Sequence, residues 1–227
     1  MNPVRSRRMA AALIAAWPVL GLAGCAAPGA SPGTASRPGS ASAGWPMPLP
    51  NAVLPDDPEL LPGGGLQRRG GLVEGVSFYR KAVGRAFSRG EQVSCIREGY
   101  IVRADHEWIP LSARECEAYT VALRTGRDER FIDRVRGRQV WVQGDDGTVV
   151  RYCRLSAVDP AIQVGLKAPA GTTLGSIGNS GTVEEVRGTG RDCHLYLEIW
   201  PAPDRWLGQG DSPRKARERW AELFGTK

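Results

Sequence analysis

The chain has 227 residues, of which 30 are basic and 24 acidic, so its formal net charge is +6. Nucleic-acid-binding proteins need clustered basic side chains with aromatic residues that stack on bases. Because this excess of positive charge is small, we expect no nucleic acid among the partners.

The first 24 residues have the order of a bacterial export signal. Arg5, Arg7 and Arg8 precede an apolar run over residues 9–22 that is too short to span a bilayer as a mature helix. The run ends in "LAGC", which resembles the lipobox of bacterial lipoproteins and implies cleavage before Cys25 and lipidation of its thiol. The alternative is a plain signal peptide followed by a chance cysteine. Removal of the leader lowers the formal charge to +3, because three basic and no acidic residues are lost.

Residues 25–70 are rich in Pro, Gly, Ser and Ala and contain few large apolar side chains. Such a segment cannot bury enough apolar surface to offset the entropy lost on ordering. We therefore predict a disordered tether between a lipid anchor and a folded domain over residues 71–227. In envelopes that retain lipoproteins by an acidic residue after the lipidated cysteine, Ala26 favours the outer membrane. The expected location is the cell envelope, with the domain facing the periplasm or the wall.

The folded part carries mostly strand signals. Short runs rich in β-branched and aromatic residues are separated by glycines, namely "QVSCI", "GYIVRA", "RQVWVQ", "TVVRYCRL", "TLGSIG" and "HLYLEIW". "GDDGT", at residues 144–148, predicts a hairpin turn. Helical patterns occupy residues 111–126, where Ser112 and Glu115 have capping-box spacing, and residues 128–137. A last helix starts with Ser212 and Pro213. These patterns predict a mainly β domain with an antiparallel sheet, a helical insertion and a C-terminal helix.

Three segments carry a family resemblance. They are "RKAVGRAFSRGEQVSCIREGYIV", "RYCRLSAVDPAIQVGLKAPAGTTLGSIGNSG" and "CHLYLEIW", and together they cover most of residues 78–200. In this order they resemble the His-x-Gly-x-Asp segment, the Tyr-x-His-Leu strand with its glycine-spaced continuation, and the His-x-His strand of lysostaphin-type (LytM) zinc endopeptidases. Those enzymes cut peptide crosslinks in bacterial cell walls. The resemblance implies a LytM-like antiparallel β-sheet fold, the duplicated hybrid motif.

The zinc ligands of that family are missing here. The family's metal needs three protein ligands and leaves a fourth position for water. Carried over by position, the ligands fall on Arg80, Gly84 and Tyr196. Arginine stays protonated, glycine has no side chain, and neutral tyrosine binds zinc poorly. A second register, on "LVEGVSF", places Val73 and Ser77 at the first two ligand positions and also lacks both ligands. The resemblance therefore implies a degenerate member without zinc, and we expect no cofactor.

The two histidines that assist catalysis in the family fall on Arg154 and His194, so only His194 is retained. Alternation along "DCHLYLEIW" places His194, Tyr196 and Glu198 on one face of a strand. His106, the other histidine, matches no site position of the family.

The positions of Arg80 and Arg154 suggest a binding function. Guanidinium groups bind carboxylates through two parallel hydrogen bonds. We therefore expect Arg80, Arg154, His194 and Tyr196 to line a cleft that binds peptidoglycan or its stem peptides without cutting them. Degenerate LytM-like domains activate cell-wall amidases in other bacteria, so the resemblance implies an amidase as a more specific partner.

Two other functions stay open. One is an active metalloendopeptidase, a peptidoglycan hydrolase with unusual zinc ligands such as His194 with Glu198 or a cysteine. The other is a structural envelope lipoprotein whose cleft recognises nothing.

Four cysteines remain after Cys25, namely Cys95, Cys116, Cys153 and Cys193, and they allow three disulfide pairings in an exported domain. Cys153 and Cys193 each precede a family site position by one residue. Alternation therefore predicts that both point to the opposite face, which favours a Cys153–Cys193 disulfide. Buried free thiols are the alternative.

Overall fold

The computed structural model describes residues 44–64, 73–80, 89–125 and 129–226. The predicted leader, the lipidation site at Cys25, and Gly84 lie outside these residues. None of the helices in these described ranges has the length and hydrophobicity of a membrane-spanning segment.

The described residues contain nine strands. In chain order they are β1 (Val76–Tyr79), β2 (Gln92–Ser94), β3 (Gly99–Ala104), β4 (Val140–Gln143), β5 (Val149–Cys153), β6 (Leu155–Val158), β7 (Lys167–Ala168), β8 (Thr173–Ile177) and β9 (His194–Trp200). Six of them form one sheet in the order β1-β9-β5-β4-β3-β7, and three form a second sheet in the order β2-β8-β6. Each described pair of neighbours is antiparallel. The predicted mainly β, antiparallel fold is confirmed.

The described residues contain four α-helices, and the sequence predicts the first, the second and the fourth of them. They are α1 (Ala113–Arg124), α2 (Ile132–Val135), α3 (Val183–Val186) and α4 (Pro213–Phe224), with short 3-10 helices at Pro58–Leu60 and Glu129–Phe131. The capping box of α1 forms, since the Glu115 amide donates to Ser112 Oγ at 3.2 Å and the Ser112 amide donates to Glu115 Oε2 at 2.7 Å. The helix α4 begins at the predicted Ser212 cap and ends at Gly225 in the left-handed region.

The main core lies between the inner face of the six-stranded sheet, the three-stranded sheet and α4. Phe78 and Leu197 come from the first sheet, Leu174 from the second and Trp220 from α4, and all four are buried. The helical insertion has a separate small core of Leu111, Cys116, Ala122, Phe131 and Val135. The outer face of the six-stranded sheet therefore stays outside the main core.

Part of the predicted tether belongs to the folded domain. The Trp45 amide donates to the Leu223 carbonyl at 2.8 Å, and Leu49, Leu54 and Leu61 are buried in the main core. The predicted tether boundary at residue 70 is therefore wrong for residues 44–64. The physical reason is that a few leucines among many small residues bury enough apolar surface to fix the segment.

Arg154 changes the course of the chain between the two sheets. It is the one residue between β5 and β6, and its φ of 68° lies in the left-handed region that L-residues rarely adopt. The alternation of side chains along β5 consequently ends at Cys153. The faces of residues on either side of this position cannot be assigned by counting along a single strand.

Candidate functional site

The outer face of the six-stranded sheet brings together the residues that the match of "LVEGVSF" to the family's His-x-Gly-x-Asp segment places at ligand positions. Directly opposed residues of antiparallel strands share a face. Ser77 of β1 and Cys153 of β5 both lie opposite Tyr196 of β9. Val73 completes a small buried cluster with Cys153 and Tyr196. Val73, Ser77 and Tyr196 are thus neighbours, whereas Arg80 is exposed beyond the end of β1.

The donors at these positions do not fit zinc. Val73 has no donor atom, and the hydroxyls of Ser77 and Tyr196 are weak ligands when neutral. The Tyr196 hydroxyl accepts the backbone N–H of Glu74 at 3.1 Å. Burial raises the pKa of the Cys153 thiol, so this group stays protonated at neutral pH. Among the residues described, no group of three or more His, Cys, Asp or Glu is placed to hold a metal ion.

A buried ion cluster lies beside Tyr196. Arg136 donates through Nε to Glu198 Oε1 at 2.7 Å and through its terminal nitrogen to Glu74 Oε2. The exposed fractions of the three side chains are 7% for Arg136, 0% for Glu198 and 9% for Glu74. Arg151 and the Trp200 indole N–H also bond Glu198, at 3.3 and 2.8 Å. A guanidinium group therefore supplies the positive charge next to the ligand positions.

The pKa of Arg136 follows from these contacts. Burial by itself lowers it, but the carboxylates of Glu198 and Glu74 outweigh burial and raise the pKa above its ordinary value. Arg136 is therefore charged at neutral pH.

The helical insertion delivers Arg136 to the sheet. The helix α2 ends at Val135, and Gly137, with φ of 75°, turns the chain immediately after Arg136. A Cβ at Gly137 would collide with the Ser180 carbonyl, so this turn requires glycine. The Arg136 carbonyl accepts the Arg154 N–H at 2.9 Å. The sequence does not indicate the role of Arg136, because an arginine before a glycine at a helix end matches no functional motif.

Arginine and tryptophan side chains stack along the same face. Arg151 lies between Trp141 and Trp200, with its guanidinium carbon 4.2 and 4.1 Å from their ring centroids. Arg103 covers Trp141 at 5.0 Å and forms an ion pair with Asp133 of the insertion at 2.6 Å. Burial raises the pKa of Asp133, but the hydrogen bonds of Arg103 outweigh it and hold the pKa below its usual range.

His194 is held by its neighbours. Its ring is 3% exposed and stacks on Tyr79, with centroids 4.1 Å apart. Nδ1 lies 2.9 Å from the Asp192 carbonyl oxygen, so Nδ1 carries the proton of the neutral ring. The Tyr79 hydroxyl donates to Asp192 Oδ1 at 2.6 Å. His106 lies elsewhere, with Nε2 2.6 Å from the Ile162 carbonyl oxygen.

A cleft of about 280 Å³ separates the insertion from the loop that leads into β9. One wall is mainly apolar and comes from the insertion, with Leu111, Cys116, Tyr119 and Val135; the other includes Arg154, Thr182, Glu184 and Asp192. Arg154 lines this cleft although its exposed fraction is only 5%. Of the predicted binding residues, the cleft contains Arg154 and adjoins His194 through Asp192. Arg80 and Tyr196 are not among the described residues that line it.

The predicted Cys153–Cys193 disulfide is wrong. All four cysteines of the described domain are free. Cys153 lies with Tyr196 on the outer face of the sheet, whereas Cys193 packs against the main core on the inner side. The prediction failed because the left-handed Arg154 interrupts the alternation on which it depended.

No family profile and no curated protein matches this chain. Among solved structures it is similar to the catalytic domain of lysostaphin from Staphylococcus simulans, with 21% identity, a TM-score of 0.37, and coverage of 69% of this chain and 75% of that one. It is similar to a putative glycyl-glycine endopeptidase lytM from Ruminococcus gnavus at 19% identity and a TM-score of 0.35, covering 59% of this chain and 41% of that one. The SpoIIQ-SpoIIIAH pore forming complex gives 16% identity and a TM-score of 0.41, with 69% and 82% coverage. These identities and TM-scores do not assign the chain to a family.

Proposed function

We propose that this chain is a degenerate LytM-like protein of the bacterial cell envelope that binds peptidoglycan stem peptides and does not cleave them. The observation that carries the proposal is the composition of the ligand positions. Val73, Ser77 and Tyr196 offer no zinc donor set, and the buried guanidinium of Arg136 provides the adjacent positive charge. Without a metal ion, the activated water on which the family's hydrolysis depends is not generated.

The cleft between the insertion and the β9 loop suits a peptide. A stem peptide presents carboxylates and small apolar side chains. The guanidinium of Arg154 pairs with a carboxylate, while Leu111, Tyr119 and Val135 receive apolar groups. Arg80, exposed one residue after Tyr79, contributes at the rim.

The proposal extends to the position of the protein in the envelope. Lipidation of Cys25 anchors the chain to a membrane, and Ala26 directs it to the outer membrane of an envelope that has one. Binding of stem peptides next to a cell-wall amidase regulates that enzyme. The "LAGC" sequence and Ala26 support the anchor and its location, and the family resemblance supports the amidase.

The first test is a pulldown on purified cell-wall sacculi. We expect Arg154→Gln with Arg80→Ala to reduce the bound fraction several-fold, and Tyr119→Ala to do the same. Arg214→Ala is the matched control, because Arg214 is exposed on α4, which packs on the other side of the sheet. Equal binding by all four proteins contradicts the peptide cleft.

The second test concerns catalysis. Purified protein should contain far less than one zinc per chain, and it should release no fragments from muropeptides with or without added zinc. Stoichiometric zinc, together with turnover that a chelator abolishes, would establish an active peptidase instead.

The third test concerns the anchor. Cys25→Ser should move the protein from the membrane fraction to the soluble fraction. Unchanged fractionation would contradict lipidation.

A further inference from the structure

The cleft between the insertion and the β9 loop carries charges of both signs. Arg154 supplies a positive charge, and Glu184 and Asp192 supply two carboxylates. The cleft volume of about 280 Å³ is close to the lower limit of small-molecule sites, so these groups face the same part of a ligand. Binding of a ligand carboxylate involves Arg154 alone and leaves the two acidic side chains without a role.

Glu184 is neutralised within the protein. Arg187 donates to Glu184 Oε1 at 2.6 Å, and the Thr189 hydroxyl donates to Oε2 at 2.7 Å. These hydrogen bonds hold the pKa of Glu184 below its ordinary value. Because both of its oxygens already accept a bond, Glu184 is a weak partner for a ligand.

Asp192 is the carboxylate that remains for a ligand. Its Oδ1 accepts the Tyr79 hydroxyl at 2.6 Å, and no described residue donates to its Oδ2. The neutral ring of His194 lies beside it, with Nδ1 3.6 Å from Oδ1, and no Lys or Arg of the described ranges forms an ion pair with it. The side chain is 36% exposed. A carboxylate in a cleft without a cation beside it attracts a positively charged group of a ligand.

Arg154 lines the same cleft as Asp192. A guanidinium group has five N–H donors, so it can bond a ligand carboxylate in addition to protein acceptors such as the Ser180 carbonyl, 3.5 Å from Nη1. Both Arg154 and Asp192 have a left-handed backbone, with φ of 68° and 57°. Residues held in this conformation at a free-energy cost cluster at ligand sites.

We propose that this cleft binds a zwitterionic α-amino-acid group, with the ligand carboxylate on Arg154 and the ligand ammonium on Asp192. In a stem peptide such a group stands at the side-chain end of a diaminopimelate residue, whereas a lysine side chain ends in an ammonium alone. The methylene chain of diaminopimelate packs on the apolar wall of Leu111, Tyr119 and Val135. The inference rests on the proposed binding of stem peptides and names the residue that is recognised.

The test is calorimetry of the purified full chain with three tripeptides. Each contains L-alanine and γ-linked D-glutamate, and the third residue is meso-diaminopimelate, lysine or 2-aminopimelate. Lysine lacks only the terminal carboxylate of diaminopimelate, and 2-aminopimelate lacks only the terminal amine. We expect the diaminopimelate tripeptide to bind about tenfold more tightly than either of the others.

Two variants assign the two halves of the group. Arg154→Gln should remove the preference for diaminopimelate over lysine and keep the preference over 2-aminopimelate. Asp192→Asn should do the reverse, and asparagine tolerates the left-handed backbone at this position. Glu184→Gln is the matched control on the same cleft, and it should keep both preferences because its carboxylate already bonds Arg187 and Thr189.

Equal affinity of wild-type protein for all three tripeptides overturns this inference and leaves stem-peptide binding intact. Retention of both preferences in Asp192→Asn also overturns it. The comparison of the three probes on wild-type protein needs no variant, so a variant that fails to fold does not hide the answer. If none of the tripeptides binds, the proposed stem-peptide function fails and this inference fails with it.

Discussion

Replacement of Arg136 by methionine tests the buried ion cluster directly. Methionine has a similar length and no charge, so Arg136→Met removes the buried guanidinium that bonds both Glu74 and Glu198. Glu198 keeps Arg151 and the Trp200 N–H. Removal of one partner from a buried ion pair destabilises proteins by about 3–5 kcal/mol. Since one kcal/mol shifts the melting temperature of a domain of this size by about 2–4 °C, we expect a decrease of about 6–20 °C at pH 7.5.

The same variant has a predicted pH dependence. Removal of a buried guanidinium leaves desolvation to disfavour the charged form of the carboxyls it paired with, and desolvation raises the pKa of a buried carboxyl above its unfolded value. When the folded-state pKa of a group is higher than its unfolded-state pKa, the group stabilises the fold fully at a pH below the unfolded-state value. This contribution is lost as the pH rises through the folded-state value. The difference between variant and wild type should therefore be largest at pH 7.5 and should shrink toward pH 4.5.

Urea unfolding, followed by tryptophan fluorescence at several pH values, measures both effects. Arg136→Met combined with Glu74→Gln is the matched second variant, and it should recover about half of the loss at pH 7.5. A loss below about 1 kcal/mol, or a difference that stays constant with pH, would refute the view that Arg136 is the main counter-ion of these carboxylates.

Other predictions concern the turn after Arg136, an ion pair and the thiols. Gly137→Ala should lower the unfolding free energy by about 1–3 kcal/mol, because the position has a left-handed backbone and no room for a Cβ. The control, Gly190→Ala, lies at an open position and should change the unfolding free energy by less than about 0.5 kcal/mol. Equal effects would refute the requirement for glycine. Asp133→Asn should reduce the decrease in the urea midpoint between pH 5 and pH 3. Because the pKa of Asp133 is depressed in the folded state, its carboxylate stabilises the fold above about pH 4, and this contribution is lost on acidification. An unchanged pH dependence of the urea midpoint would contradict this prediction. Under native conditions Cys193, which is partly exposed, should react with a thiol reagent before the buried Cys153, and both should react after unfolding without a reductant. Reaction only after reduction would indicate a disulfide.

The sequence predicts the elements better than their arrangement. Runs of β-branched residues and the Ser112 and Ser212 caps are local signals, so most strands and both longer helices are correctly placed. The short strand β1 is missing from the predicted set, because "VSFY" follows a glycine and carries only a weak strand pattern. Its pairing with β9 is a long-range contact that no local signal reveals.

The site illustrates the same limit. Spacing along the chain favoured Arg80 as the neighbour of Tyr196, but sheet register decides which side chains meet, and it places Ser77 opposite Tyr196. Likewise, the left-handed backbone at Arg154 reverses the face expected for Cys153. The partners of Glu198 come from residues 62 and 47 positions away, Arg136 and Arg151, and charge pairing over such separations follows only from the folded structure.

The central positive charge of this sheet is covalently part of the chain. The folded population of a domain that depends on a bound ion varies with the concentration of that ion in its surroundings. Because Arg136 is synthesised with the protein, the carboxylates beside it are neutralised as soon as the insertion packs on the sheet. The positive charge beside Glu74 and Glu198 therefore does not vary with the supply of ions.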